Sequence, residues 1–308
     1  MTTTRVSNIQ QQSQMLQYLS QLQSQGQNLE NQIASGQKST TYAGISAQAG
    51  QVINLEATQS QQQGYMNTID TVNTRLQTTS LAMQNISSLA TSFQNTLTTS
   101  AFAPNGASVQ QTAQQLLTEL GSYMNTQDGS RYVFSGNQTG TPAFNPAALP
   151  TPGDLTTNVA ADYYGGDNGV AAATVDNNVN MQYGVTGNNP AFEQIVRVLN
   201  FFANDSTPLS QSNATDVANV NQAQQMLGTA AQAVQQLVAT NGEQQDDLTQ
   251  LKTAHQNSLT LATTSLNNIE QVDTATAITQ LNTLQTQLQA SYQTINVLQS
   301  LSLANYLK

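Results

Sequence analysis

The sequence predicts a mainly α-helical protein whose N- and C-terminal helices pair in a coiled coil, with a helical bundle inside them and a small β-rich insert. Three observations support this fold class. Apolar residues recur with helical spacing at both ends of the chain, proline and glycine concentrate in the middle, and turn signals separate the helical stretches. Because helices flank the insert on both sides, the two ends of the chain have to meet in space, which gives a nested architecture.

Composition excludes several classes of protein. Only 8% of the 308 residues are charged and 38% are apolar, whereas ordinary globular domains carry about 25% and about 45–50%. A net charge of −10 argues against a nucleic acid partner. The sequence contains no run of about 20 apolar residues, so we expect no segment that spans a membrane. There is no cysteine, and His255 is the one histidine. We therefore expect no catalytic, cofactor-binding or metal site, and no cofactor.

The two terminal segments each carry one narrow apolar stripe. Near the N-terminus its positions are three, four or seven residues apart, and near the C-terminus leucines and isoleucines repeat in heptads. We predict that these residues form an assembly seam: Val6, Ile9, Leu16, Leu19, Leu22, Leu281, Leu284, Leu288, Ile295 and Leu298.

The faces beside this seam are built from Gln and Thr instead of the usual Glu and Lys. A lone helix of this composition is marginal in water, because packing normally supplies most of its stability. Neutral amide and hydroxyl faces can lie against further helices without burying charge. The pattern favours helices that pack in an assembly over the alternative, a solvated coiled coil within a monomer.

Between the seams the pattern predicts further helices over 48–99 and 109–126, separated by a break at 101–106. A turn at 128–130 leads into a strand that starts at 131–134. Helices resume at Pro190, and a long one runs from about Asp216 past Leu266, with a soft break near 241–242.

The stretch 137–189 differs from its surroundings in composition. Proline, glycine and acidic residues replace the helical pattern, and the runs 161–164 and 181–185 are β-prone. We predict three parts: a terminal coiled-coil domain of 1–40 with 265–308, a helical bundle of 41–136 with 190–264, and an exposed β-rich insert of 137–189.

Single residues with possible chemistry have simpler interpretations. His255 lies among Lys252, Thr253 and Gln256, so a polar helix face is expected. Asp246 and Asp247 lack a loop with calcium-binding spacing, and we expect a solvated face there too. Arg131 is expected to pair with an acid or to stack where the bundle meets the insert.

Several segments resemble bacterial flagellins and their hook-associated relatives, over roughly 1–136 and 190–308. Residues 33–38 are similar to the family's Ser-Gly-Lys/Arg segment, although Gln37 is inserted before the lysine and the usual acidic pair is absent. Residues 125–136, 288–292 and 301–307 are similar to the hook–filament junction members of the family. The motif residues are Ser35, Gly36, Gly129, Arg131, Tyr132, Phe134 and Gly136.

This resemblance implies a non-enzymatic structural protein of the bacterial flagellum, exported without a cleaved signal peptide and located outside the cell. An adaptor role between hook and filament, needed for motility, is expected. The implied partners are copies of itself, the first hook-associated protein, flagellin, an export chaperone and the type III export apparatus. Three alternatives stay open: flagellin itself, an adhesin that uses the acidic insert, and a hydrolase housed in that insert.

Overall fold

The computed structural model of the protein describes residues 2–103, 107–152 and 154–304. Within its helices it places all these side chains except those of 2–9, 11, 12, 107, 108 and 298–304. The chain divides into two compact units, one of Met1–Gln61 with Ser258–Lys308 and one of Gln62–Asn257. The three-part division stays a prediction.

Helices make up most of the described chain, which confirms the predicted mainly α class. They are α1 (Thr2–Ser35), α2 (Ala49–Ser100), α3 (Ala107–Met124), α4 (Ala160–Tyr163), α5 (Pro190–Asn204), α6 (Ala214–Glu270) and α7 (Thr274–Ala304). Short 3₁₀ segments lie at Tyr42–Ile45 and Pro146–Ala148. Two antiparallel strand pairs are formed by β1 (Gln127–Asp128) with β2 (Arg131–Tyr132) and by β3 (Ala171–Asp176) with β4 (Val179–Tyr183). The end of the predicted helix break, 104–106, lies outside the described residues.

Two local predictions are wrong. The β-prone run 161–164 begins within the single helical turn α4, because the Asn158 carboxamide accepts a hydrogen bond from the Ala160 N–H and the Tyr163 ring is buried. The soft break near 241–242 is also absent, since α6 is continuous there. The buried Asn241 side chain donates to the Leu76 carbonyl of α2 at 2.7 Å, which holds the two helices together at this point.

The larger unit has a main core in which helices and the 137–189 segment share apolar contacts. Phe134 packs edge-to-face on Phe192 of α5, with ring centroids 5.4 Å apart, and Phe144 lies 5.5 Å from Tyr163. Each of these rings is essentially inaccessible to solvent. The 137–189 segment therefore contributes to the same core as α2, α3, α5 and α6.

The β3–β4 hairpin packs on a second, smaller cluster in the same unit. Val175 and Tyr183 contact an apolar patch of α2 and α6 that includes Ile69, Leu76 and Leu248. A two-stranded hairpin is marginal by itself, so these helix contacts stabilise it.

The smaller unit contains the antiparallel pair of α1 and α7. Where the helices α1 and α6 end, the Lys38 N–H donates to the Glu270 carbonyl at 2.7 Å and the Val272 N–H donates to the Gly36 carbonyl at 3.0 Å. The buried apolar side chains described in this unit are Leu19, Leu22, Val52, Ala262, Ile269, Ala277 and Leu284.

Candidate assembly surface

The predicted seam residues occupy three different environments. Leu19, Leu22 and Leu284 are buried between the paired helices. Leu281, Leu288 and Ile295 are half-buried. Leu16 keeps 55% of its surface exposed. The side chains of Val6, Ile9 and Leu298 lie outside the described residues, and the role of the whole seam in assembly stays a prediction.

Helices α1 and α7 lie in close contact at Gly26. A Cβ atom built at this glycine would lie 3.3 Å from the Leu284 Cδ2 atom, so the leucine packs against the α1 backbone. The Gln23 side chain donates to the Tyr292 hydroxyl at 2.8 Å. The polar residues flanking the seam therefore make interhelical contacts, and Ser291 is buried at 7% exposure as the one predicted polar interruption.

Several large apolar or aromatic side chains of this helix pair are exposed to solvent in the part of the chain that the structure describes. Leu16 and Val297 are 55% and 57% exposed, and three other large apolar or aromatic residues on the pair are also exposed: Tyr18, Ile278 and Tyr292. An open groove of about 520 Å³ lies between the helices, lined mostly by amides and hydroxyls. Large exposed apolar side chains occur on surfaces that a further protein element covers.

The first motif, at Ser35 and Gly36, joins the end of α1 to the end of α6. The Ser35 hydroxyl donates to the Asn31 carbonyl at 2.7 Å, and Gly36 has φ of +71°, a conformation that favours glycine. The Lys38 Nζ then donates to the carbonyls of Asn268 and Ile269, at 2.9 and 2.8 Å. This cation satisfies carbonyls left free at a helix C-terminus. Sequence reasoning assigned no role to Lys38, because the carbonyls are 230 residues away.

The second motif forms the β1–β2 hairpin and the loop after it. Gly129 and Gly136 both have positive φ, +62° and +67°, so each needs glycine to turn the chain. Tyr132 is half-buried, and its N–H donates to the Thr139 carbonyl at 2.9 Å. Phe134 is fully buried in the core. Arg131 is exposed and has neither a hydrogen bond nor an ion pair with any residue that the structure describes. The first of its two predicted roles, pairing with an acid, is therefore absent among these residues, and the second, stacking, stays a prediction.

This loop interlocks with a stretch that the sequence did not single out as a site, 164–169. The Asp167 Oδ1 atom accepts from the N–H groups of Asn137 and Gly169, at 2.7 and 2.9 Å. The Tyr164 hydroxyl lies within 3.1 Å of the carbonyls of Phe134 and Asp167. Burial, with a contribution from the Asp167 charge, raises the Tyr164 pKa to about 12, so the hydroxyl stays a donor at neutral pH.

His255 lies in a different environment from the expected polar face. It is only 3% exposed, its Nε2–H donates to the Val175 carbonyl of β3 at 2.8 Å, and Nδ1 contacts the Gln62 amide. The Tyr65 ring lies 5.2 Å from the imidazole. The ring thus links α2 and α6 to the hairpin, and its two nitrogens are both occupied by these contacts.

The described ranges hold no group of three or more His, Asp or Glu side chains arranged to bind a metal ion. Among the helices that the structure describes, none combines the length and the hydropathy needed to cross a bilayer.

Comparisons with known proteins identify structural neighbours. No protein-family model matches the chain, and no curated protein sequence does. The structure of a flagellar hook-associated protein from Vibrio parahaemolyticus aligns with a TM-score of 0.56 and 20% identity, over 74% of this chain and 100% of that one. FlgL from Bacillus cereus aligns at 12% identity and a TM-score of 0.40, over 73% and 99%. Flagellar hook-associated protein 3 from Legionella pneumophila aligns at 12% and 0.47, over 73% and 98%. At the level of fold, the chain is similar to the Vibrio flagellar hook-associated protein.

Proposed function

We propose that this protein is a structural component of the bacterial flagellum, an adaptor between the hook and the flagellin filament. The observation that carries the proposal is the exposed apolar surface of the α1–α7 pair, at Leu16 and Tyr18 above all, in a chain with the fold of a flagellar hook-associated protein. The motif residues at 35–36 and 129–136 add support, since the first pair forms the turn after α1 and the second stretch forms the β1–β2 hairpin with the loop after it.

In this proposal the α1–α7 pair forms the assembly surface. Copies of the chain pack side by side through Leu16 and Tyr18, which are exposed in the single chain. The first hook-associated protein and flagellin bind on either side of this layer. An export chaperone and the type III apparatus deliver the chain to the outside of the cell.

Immunogold labelling of intact flagella tests the location. The adaptor role predicts a single band of label where the hook meets the filament. Label along the whole filament would instead support the alternative that the chain is flagellin, and absence of label from flagella would contradict both. The labelling pattern therefore distinguishes an adaptor, a flagellin and a protein that is absent from flagella.

The assembly surface is tested by Leu16→Asp, with Gln17→Asp as the matched control. Both changes add one negative charge to neighbouring exposed positions of α1, but only the first removes an apolar contact from the proposed interface. We expect Leu16→Asp to abolish motility in a deletion strain of the source bacterium and Gln17→Asp to restore it. Because Leu16 is exposed in the single chain, the melting temperature of the purified variant should stay within a few degrees of the unmodified protein's. Full motility with Leu16→Asp would contradict this surface.

A further inference from the structure

Arg131 differs from every other described cation in having no partner. The chain has seven Lys and Arg residues against 17 Asp and Glu, so an unpaired cation is unexpected. The other described cations are all engaged: Lys38 with the carbonyls of Asn268 and Ile269, Arg75 with Asp128, Arg197 with Glu193, and Lys252 with Asp70. Arg131 alone among the side chains that the structure describes presents a free guanidinium.

The hairpin around Arg131 explains why it stays free. Asp128 is its direct neighbour across the two-residue turn and would be the obvious acid to bind it. The Asp128 Oδ2 atom instead accepts from the Arg75 Nε–H at 3.3 Å, and Arg75 also donates to the Tyr183 hydroxyl at 2.7 Å. The carboxylate directly across the hairpin from Arg131 is thus already paired with an arginine from α2.

Arg131 lines the wall of a small hollow. The cavity has a volume of about 40 Å³ and is lined also by Gly136, Thr139, Thr186 and the Arg75–Asp128 ion pair, whose charges offset each other. Ligand pockets for cofactors and drug-sized molecules are about 300–1,000 Å³, so this hollow has room only for a small group. A guanidinium binds a carboxylate with two parallel hydrogen bonds, which makes a carboxylate the chemically matched occupant.

The chain itself offers unpaired carboxylates on one face of α6. Glu243, Asp246 and Asp247 are exposed and have no described partner. Their i, i+3 and i+4 spacing places them on one side of the helix, where like charges repel each other. A cation supplied from outside would relieve that repulsion. No ion pair joins Arg131 to any described acid of its own chain. The positive charge of Arg131 and the negative charge of the Glu243–Asp247 face are therefore both available to a neighbouring copy, and they are complementary.

We propose that Arg131 and its hollow bind a carboxylate from the Glu243–Asp247 face of a second copy of this chain. This contact rests on the proposed function, because it requires copies packed side by side. It lies in the 62–257 unit and adds a charged, orientation-dependent contact to the apolar one at α1 and α7.

Cysteine cross-linking tests the contact directly, since the chain contains no cysteine of its own. Arg131→Cys and Asp246→Cys variants with different peptide tags are produced together in the deletion strain. The isolated flagella are then oxidised with copper phenanthroline and probed for both tags. We expect a dimer band that carries both tags and is absent when either variant is produced alone. The matched control replaces Asp246→Cys with Asp205→Cys, an acid outside the 243–247 face, and should give no such band.

The outcomes separate this contact from the assembly role. Flagella that contain both variants but yield no mixed dimer would overturn the Arg131 contact and leave the proposed function standing. Chains that never enter flagella would overturn both. A charge swap gives an independent measurement: Arg131→Glu should reduce incorporation at least tenfold, and combining it with Asp246→Arg and Asp247→Arg should restore most of it. Failure of the triple variant to recover would argue for a carboxylate on a different protein.

Discussion

At the scale of single residues, the polar side chains that stabilise the fold are those buried against another segment of the chain. His255 is the clearest case, because a residue expected on a solvated face instead donates to a hairpin carbonyl inside the larger unit. Glu193 is similar: it is 1% exposed, accepts from the Val159 N–H at 3.0 Å and pairs with Arg197 at 2.8 Å. These buried side chains stabilise the fold because their partners, such as the Val175 carbonyl and the Val159 N–H, would otherwise lack a hydrogen bond in the interior.

Replacing His255 by leucine tests this role. The Val175 carbonyl loses its donor in a buried position, so we expect the free energy of unfolding to fall by about 1–3 kcal/mol. Urea denaturation followed by circular dichroism measures the change. Thr253→Ala, an exposed position on the same helix, serves as control and should lie within about 0.5 kcal/mol of the unmodified protein. Equal stability of the leucine variant would show that the imidazole contacts are dispensable.

Asp154 gives the chain a pH-dependent contact in the 137–189 segment. Its Oδ1 atom accepts from the N–H and hydroxyl groups of both Thr156 and Thr157, and these bonds lower the Asp154 pKa to about 2. Because the Asp154 pKa is lower in the folded state than its ordinary value of 3.8, the ionised carboxylate stabilises the folded protein at pH values above 3.8. This contribution disappears as the pH falls through about 2.

We therefore expect Asp154→Asn to be less stable than the unmodified protein at pH 6, and the difference to vanish near pH 2. Thermal unfolding across this range measures it. Thr156→Val removes the donor with the largest effect and should move the Asp154 pKa upward in a carboxyl NMR titration. A stability difference between Asp154→Asn and the unmodified protein that does not change with pH would contradict the account.

At the scale of elements, the contact between α3 and the 137–189 segment is unusually close. A Cβ at Gly121 of α3 would lie 2.7 Å from the Phe144 Cδ1 atom. The Phe144 backbone cannot move easily, because its N–H and carbonyl both bind the Asn125 side chain, at 2.8 and 2.9 Å. The absence of a side chain at Gly121 is thus what allows the ring to pack on the helix.

Gly121→Ala should lower the free energy of unfolding by about 1–3 kcal/mol through overpacking, despite a gain in helix propensity of up to about 1 kcal/mol. Gly64→Ala is the matched control. It makes the same exchange within a helix but has no heavy atom within 4 Å of the new Cβ. There we expect a gain of about 0.5–1 kcal/mol. Denaturant titrations compare the two, and a gain at both positions would mean that the Phe144 ring is free to shift.

At the scale of the whole molecule, apolar burial is distributed unevenly. The larger unit holds both hydrophobic clusters, including Phe93, Phe134 and Phe192. The smaller unit depends on the narrow seam, and its helices leave Leu16 and Val297 more than half exposed. Local stability follows the amount of apolar burial, so the two units should differ in how readily they open.

Hydrogen exchange on the purified monomer measures this difference. We expect the amides of 82–97 and 191–203 to exchange slowly and those of 13–35 and 274–297 to exchange at least a hundredfold faster. In isolated flagella the second group should become protected as neighbouring copies cover the seam. Strong protection of 13–35 in a verified monomer would contradict the idea that assembly completes this unit.

Local patterns in the sequence determined much of the helical framework. The spacing of apolar residues predicted helices at both ends, and proline and glycine marked 101–106 and Pro190 as boundaries. Three of the seam positions, Leu19, Leu22 and Leu284, are buried, and the seam's role in assembly stays a prediction. These features depend on side-chain spacing within a few turns of one helix, and such spacing can be read directly from the chain.

Only the tertiary structure decided which groups meet across long stretches of sequence. The hydrogen bond from the Ala160 N–H to Asn158 and the burial of Tyr163 outweighed the β propensity of 161–164. His255 is buried where it donates to the Val175 carbonyl, 80 residues away in the sequence. Asp128, the cross-strand neighbour of Arg131, forms its ion pair with Arg75 instead. Each outcome depends on the energy of contacts between distant segments, which local periodicity does not encode. The helices were therefore predictable, whereas the burial of His255 and the free guanidinium of Arg131 were not.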